Sequence, residues 1–324
     1  HHASAGKILG SLDNVLAEVV EGFVEFDAQG NKLKASAAAV SGCLQCHGSE
    51  IKVLANGKLD PATWPNTGIG RLNPDGSRGS CSACHLRHNF SRAQARAPEN
   101  CGRCHLGPDH PQKEVYDESK HGIAFAANRT RFEPMMEQKE WIPGRQFEQG
   151  PTCTVCHMGA TKNLPLTHDA GARISWTLRP PVSEKIDAAA LKAGTQVKSW
   201  KDRRKNMKDV CGSCHATEWV NNWYGQYDSA VELYNNKFGI PSTELYKMAR
   251  SQGLLTEIEF DEEFEFTYFF LWHHEGRRAR HGAAMMGPDY TQWHGFYEVA
   301  HRFYIEFVPQ LREVIAEGRR HGKG

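Results

Sequence analysis

The sequence predicts a mainly α chain, helices joined by loops and closed by a C-terminal helical bundle. Three observations carry that prediction. The pattern Cys-x-x-Cys-His occurs five times and consumes all ten cysteines. Apolar residues recur at helical spacing near both ends of the chain. No stretch alternates apolar and polar residues for long enough to argue for a sheet.

The motifs come first because they decide what the loops are for. They are Cys43-Leu44-Gln45-Cys46-His47, Cys81-Ser82-Ala83-Cys84-His85, Cys101-Gly102-Arg103-Cys104-His105, Cys153-Thr154-Val155-Cys156-His157 and Cys211-Gly212-Ser213-Cys214-His215. Two thiols two residues apart can add to the two vinyl groups of a haem as thioethers, and the His that follows then points at the iron. Zinc and a redox dithiol are the competing readings of a single Cys-x-x-Cys. They fail here because His follows every pair and no cysteine is left over. The expected fold is therefore a multihaem cytochrome c, with helices and loops wrapped around five stacked haem c groups and their iron. The proximal ligands would be His47, His85, His105, His157 and His215. Only twenty positions separate Cys81 from Cys101, so neighbouring haems must nearly touch and can pass electrons. Haem of this kind is attached outside the cytoplasm, so a periplasmic or equivalent compartment is expected.

Along the chain, residues 8–23 read as an amphipathic helix, with Ile8, Leu9, Leu12, Val15, Leu16, Val19, Val20 and Phe23 on one face. Residues 41–110 hold three motifs, and a loop rich in Gly, Pro and Asn runs through 56–80 with turn signals at Asn56-Gly57 and Asp75-Gly76. A short linker and a further loop or helix fill 111–150, and Arg179-Pro180-Pro181 is loop. After 216 four helices are expected, near 217–238, 242–252, 257–280 and 289–317. Ser242 reads as an N-cap, Gly253 as a stop and Asp289 as a cap for the last helix. That helix carries a broad apolar stripe, Trp293, Phe296, Tyr297, Ala300, Phe303, Tyr304, Phe307, Leu311 and Val314, whose plain reading is bundle packing. A haem-binding domain over 1–216 and a helical, oligomerising domain over 217–324 follow from this change of character.

Composition excludes some functions. The formal net charge is +1, and two propionates per haem would make the loaded protein acidic, which argues against nucleic acid as a partner. No apolar run approaches a membrane span. No signal peptide is visible, and the start at His1 is expected to reflect an N-terminal piece that has been removed or left out.

Seventeen histidines leave twelve beyond the proximal set. A second His on an iron closes it as an electron carrier, and an iron lacking one can take substrate. His88, three residues past a motif, His121 after Ser119-Lys120, and His168 in Thr167-His168-Asp169 are candidate distal ligands. Asp109-His110, held between Pro108 and Pro111, sets an acid beside an imidazole. The pair suits proton transfer at a bound ligand, or equally a turn in which His110 ligates an iron.

The run Cys81-Ser82-Ala83-Cys84-His85-Leu86-Arg87-His88-Asn89-Phe90-Ser91, followed by Ala95-Arg96, Pro98-Glu99, Pro108-Asp109-His110 and Ser119-Lys120-His121-Gly122, resembles the octahaem hydroxylamine oxidoreductase family. The resemblance is specific in 81–122 and around 153–168. It implies that the haem of Cys43, Cys46 and His47 corresponds to the fourth, catalytic haem, with an open distal face lined by Asp109 and His110. It places His88, His121, His168 and also His2 where distal ligands fall. It implies a homotrimer, a redox partner cytochrome and a small nitrogenous substrate, hydroxylamine or nitrite. Some relatives carry a Tyr that bonds to the catalytic haem across a subunit boundary, and Tyr290 is the candidate. Relatives without that bond run the chemistry reductively. Three upstream motifs of the family pattern are missing, so either the chain is a C-terminal part or another polypeptide supplies them. An insertion over Phe23–Ala37 also departs from the pattern. Three functions remain open: oxidation of hydroxylamine to nitric oxide or nitrite, reduction of nitrite or hydroxylamine towards ammonium, and electron transfer with every iron closed.

Overall fold

In the computed structural model the described residues are 54–57, 60, 83–85, 89, 91–175, 188, 192 and 198–320. The expected helix over 8–23, the first motif, Cys81, His88 and His2 lie outside them. The chain divides into two compact units, His1–Ala95 and Arg96–Gly324. In the first, Gly57 closes a turn with φ +79, and Cys84 and His85 are half-buried.

The second unit is helix and loop, as predicted, and among the described residues it contains no strand. Its first half is made of short pieces: α1 (Pro98–Gly102), α2 (Gln112–Glu118), α3 (Lys120–Ala127), α4 (Arg129–Met136), α5 (Cys153–His157) and α6 (Trp200–Gly212). Ser119 caps α3, its Oγ accepting from Gly122 N at 3.1 Å. Beneath α3 and α4 sits a small aromatic core. Phe125 stacks on Phe132, and Trp141 stacks on Phe147 with ring centroids 4.2 Å apart.

The second half is built from long helices. α7 (Thr217–Tyr234) continues through a wide turn at Asn235–Gly239 into α8 (Ile240–Ser251). The expected break before Ser242 is absent. Ser242 is fully buried inside the continuous helix, its Oγ donating to Gly239 O. Pro241, which has no N–H to give, is tolerated because the preceding turn is of the five-residue kind and the ladder is already shifted there. Gly253 does end the helix, at φ +66, with Leu254 N bonded to Ala249 O.

The next helix begins at Glu263, six residues later than expected, as α9 (Glu263–Phe270). It runs through a wide turn at Leu271–Glu275 into α10 (Gly276–Met285). Residues before Glu263 form a turn in which Thr256 Oγ1 binds Asp261 at 2.8 Å. The last helix spans 288–320 as α11 (Pro288–Thr291), α12 (Glu298–His301) and α13 (Val308–Arg320), joined by wide turns at Gln292–Tyr297 and Arg302–Phe307. Asp289 is not its cap. Gly287 and Pro288 start the helix, and Glu118 Oε1 on α2 accepts from both Asp289 N and Tyr290 N at 3.1 Å.

Those wide turns split the predicted apolar stripe, because each rotates the helix relative to a 3.6-residue repeat. Phe303, Phe307 and Leu311 are buried with Phe264, Leu271, Ala279 and Val299 in the main core. Trp293, Tyr297 and Tyr304 point outward, each more than half exposed. No helix among the described residues is long and apolar enough to cross a membrane.

Candidate haem and proton-transfer site

Each described motif forms one helical turn, and that turn is what haem attachment needs. His105 N bonds Cys101 O at 3.0 Å, and His215 N bonds Cys211 O at 2.9 Å. Cys153 to His157 is α5 itself. Positions i, i+3 and i+4 share one helix face, so the two thiols and the imidazole of a motif lie together. None of the seven described cysteines is in a disulfide.

Three motifs converge. The thiols of Cys101 and Cys153 are within hydrogen-bonding reach of one another. Cys156 lies in the field of Cys211 and Cys214, and His157 in that of His105. Burial pushes the Cys156 thiol up to about 12, and the Cys211 thiol up to about 11. Such surroundings disfavour the thiolates a zinc site needs and suit neutral thioethers. Burial likewise lowers the pKa of His157 and of His121, keeping both imidazoles neutral, the form that binds a metal.

One pair of rings has the spacing of a two-His site. His121, from α3, and His215 have ring centroids 6.1 Å apart at 51°. Two imidazoles on opposite sides of one metal ion, each nitrogen at about 2 Å from it, need a separation of this size. Trp219 stacks on His215 at 4.2 Å and holds the ring in place. His168 sits exposed on the loop after α5, where Thr167 N bonds Met158 O at 2.9 Å. The residues present therefore fit covalent haem at motifs three, four and five.

Motif four and the loop that follows it are fastened by a buried side chain that the sequence did not advertise. Arg173 is 3% exposed. Its guanidinium donates to Cys156 O at 3.1 Å and Gly159 O at 2.5 Å. It also reaches Val155 O at 3.3 Å and Pro165 O at 3.4 Å.

The Asp109–His110 pair lies just before α2. His110 Nδ1 donates to Asp109 Oδ1. The other carboxylate oxygen accepts from Arg277 Nη1 at 3.0 Å and lies 3.6 Å from His273 Nε2. Burial alone would raise the Asp109 pKa, but the hydrogen bond and charge of His110, with His273 and Arg277, hold it below the ordinary carboxylate value. Asp109 is thus kept as the anion, and His110 is oriented so that Nε2 is the atom free to exchange a proton.

His273, Arg277 and His281 are functional candidates that the sequence reading missed. They stand at i, i+4 and i+8 along one helix face, and that spacing was the available signal. His281 Nδ1 lies 3.4 Å from Gln112 Nε2, and burial, with Arg277 and Arg280, pushes its pKa down to about 3. On another face of the same helix, His274, Glu275 and Arg278 meet Glu298, Arg302 and Glu306 around a polar cavity of about 330 Å³.

Tyr290 is anchored at the other end of α2. Glu118 holds its backbone, and its ring lies 5.5 Å from that of His294. α10 can pass this close only because residue 282 is Gly: a Cβ there would meet Thr291 N at 2.5 Å. The seven residues of α2 separate Tyr290 from Asp109, a rise of about 10 Å.

A mainly helical chain with repeated Cys-x-x-Cys-His turns and neutral imidazoles beside them is a multihaem cytochrome c. The chain belongs to the family described as seven times multi-haem cytochrome CxxCH, whose pattern matches residues 66–236. It is 28% identical to a probable nitrite reductase–hydroxylamine oxidoreductase fusion protein of Kuenenia stuttgartiensis, over 46% of this chain and 20% of that protein. It therefore spans about a fifth of that relative's length. Among solved structures, a hypothetical multiheme protein superimposes with a TM-score of 0.63 at 26% identity, covering 94% of this chain and 73% of that one. A reducing HAO-like protein complex of Kuenenia stuttgartiensis shares the fold, with a TM-score of 0.60 at 19% identity over 76% of this chain and 61% of that one. The likeness thus runs to hydroxylamine-oxidoreductase-like multihaem proteins.

Proposed function

We propose that this chain is the five-haem part of a hydroxylamine-oxidoreductase-like enzyme that oxidises hydroxylamine to nitric oxide or nitrite. The observation that carries the reading is the Asp109–His110 pair, hydrogen-bonded and pinned by Arg277 beside the third motif. Oxidation of hydroxylamine to nitric oxide releases three electrons and three protons, so an enzyme needs a proton acceptor as well as an electron sink. Bound haem would supply the iron that takes the nitrogen atom and the path for electrons. Cys101, Cys104 and His105 would hold one haem, Cys153, Cys156 and His157 a second, and Cys211, Cys214, His215 and His121 a third. By the family resemblance the open iron is that of His47.

The protein's own groups divide the proton work. Asp109 stays ionised and fixes the His110 tautomer, and His110 Nε2 accepts the proton leaving the substrate. Replacing Asp109 with Asn should lower turnover by roughly 10²- to 10⁴-fold, the usual loss for a positioned proton carrier, with haem content unchanged. Intact turnover with both hydroxylamine and nitrite would sink the assignment. Removing Arg277 strips a positive charge from Asp109, so its pKa must rise. The acid limb of the pH–rate profile should then move to higher pH in Arg277→Met.

A second reading is favoured by the same cluster. Arg277 offsets the negative charge of Asp109, which removes a barrier to anionic nitrite and suits reduction towards ammonium. In that case Arg277→Met should raise KM for nitrite more than for hydroxylamine. A non-catalytic electron carrier is the outcome if no high-spin iron appears in the electron paramagnetic resonance spectrum. Homotrimer formation through 217–324, a cytochrome redox partner and an extracytoplasmic location belong to the same proposal. Light scattering on the purified protein tests the first of these.

A further inference from the structure

The first residue of α2 carries a side chain that touches the imidazole of motif three. His105 Nδ1 and Gln112 Oε1 are 3.3 Å apart, and Gln112 Nε2 is 3.4 Å from His281 Nδ1. Lys113 N also bonds His105 O at 2.9 Å, so the start of α2 is laid against the ligand residue by backbone as well as side chain.

The chemistry of an iron-bound imidazole makes this chain directional. In a c-type motif Nε2 faces the metal, so Nδ1 carries the proton and donates. Gln112 Oε1 must then be the acceptor, which leaves the Gln112 amide N–H to donate onward. His281 Nδ1 can receive that bond only as an acceptor, so His281 carries its proton on Nε2. Its Nε2 is buried with no hydrogen-bond partner among the described residues, so nothing there draws the ring out of the arrangement.

We propose that Gln112 is a positioning residue for the haem of motif three: anchored on His281, it accepts the His105 Nδ1–H bond and thereby holds that haem's reduction potential down. The proposal rests on the reading of His105 as an iron ligand. The physical reason is that an acceptor on the far nitrogen raises the basicity of a ligating imidazole and favours the more highly charged metal state. His281 comes from α10, the helix that also brings Arg277 to Asp109. One helix would then set both an electron-carrying step and the proton-carrying pair.

The test is a spectroelectrochemical titration of the full holoprotein and of two variants. In Gln112→Leu the acceptor is lost, and one haem step should move to higher potential while the other steps stay in place. In Gln112→Glu a stronger, anionic acceptor replaces it, and the same step should move to lower potential. A purely structural residue would not reverse the sign. If that step stays put in both variants, or moves the same way in both, the proposal is overturned. Should the Leu variant lose its haem, the Glu variant decides alone, and absence of a downward shift overturns the proposal. Intact mass of the wild-type chain separates the two layers. A wild-type peptide 101–105 without haem sinks the ligation reading and the proposal with it, whereas full haem with unmoved potentials sinks the role of Gln112 alone.

Discussion

The two halves of the second unit are folded by different means. From 217 to 320 the helices are long, and aromatic side chains close a continuous core: Phe264 stacks on Phe307 at 4.9 Å, and Phe238 meets Phe303 at 5.6 Å. From 96 to 175 the helices run from five to eight residues and bury one to two side chains each. Helices that short do not hold themselves in water. What fastens them are the small aromatic cluster of Phe125, Phe132, Trp141 and Phe147 and point attachments, the Ser119 cap and the Arg173 clamp, beside the cysteines and histidines that are arranged to hold macrocycles. The lesson is that one chain can carry a region closed by a continuous side-chain core next to a region with a small core and cofactor-attachment turns.

The largest expected effect breaks that comparison at its centre. Replacing Cys153 and Cys156 with Ser should remove one haem mass and open 137–175 to limited proteolysis, while 217–320 stays protected, because metal and cofactor binding energy is folding energy in such segments. Unchanged protection of 137–175 would mean that its side chains suffice. Next comes the mirror experiment. Phe307 is fully buried in the aromatic core, and Phe307→Ala should cost about 3–5 kcal/mol in denaturant unfolding of the helical half, with haem content untouched.

A smaller effect tests the clamp. Arg173→Met keeps the length and removes the charged donors from Cys156 O and Gly159 O, so it should cost about 1.5–3 kcal/mol and raise hydrogen exchange in 157–170. No change there would make the macrocycle the sole organiser of the loop. The smallest concerns the surface. Arg129 bridges Glu99 and Glu133 at 2.7 Å with all three side chains at least 42% exposed, so Arg129→Ala should cost under about 1 kcal/mol. A larger loss would show that the short helices α1 and α4 depend on each other through that ion pair.

Legibility follows the same divide. The motif turns could be read directly, because two thiols and an imidazole at fixed spacing have few other uses. Gly253 was legible as a stop, since only a residue at ease with φ +66 ends a helix that way. Ser242 misled because capping chemistry and burial inside a wide-turned helix look the same in one dimension. Asp289 misled because its helix is capped by Glu118, 171 residues away. The apolar stripe of the last helix was visible, but its division into a buried face and the exposed Trp293, Tyr297 and Tyr304 was not. That division depends on two wide turns, for which no local residue pattern speaks.

The sequence by itself determined the cofactor class, the positions of the attachment motifs and the helical character of the chain, because covalent attachment and helical periodicity are both set by spacings of a few residues. Only the tertiary structure decided the company those residues keep. That Asp109 is pinned by Arg277 and His273, that His121 stands opposite His215, and that Gln112 links His105 to His281 are contacts between distant segments. They form because helix packing and motif convergence bring those segments together, and no local spacing encodes that meeting.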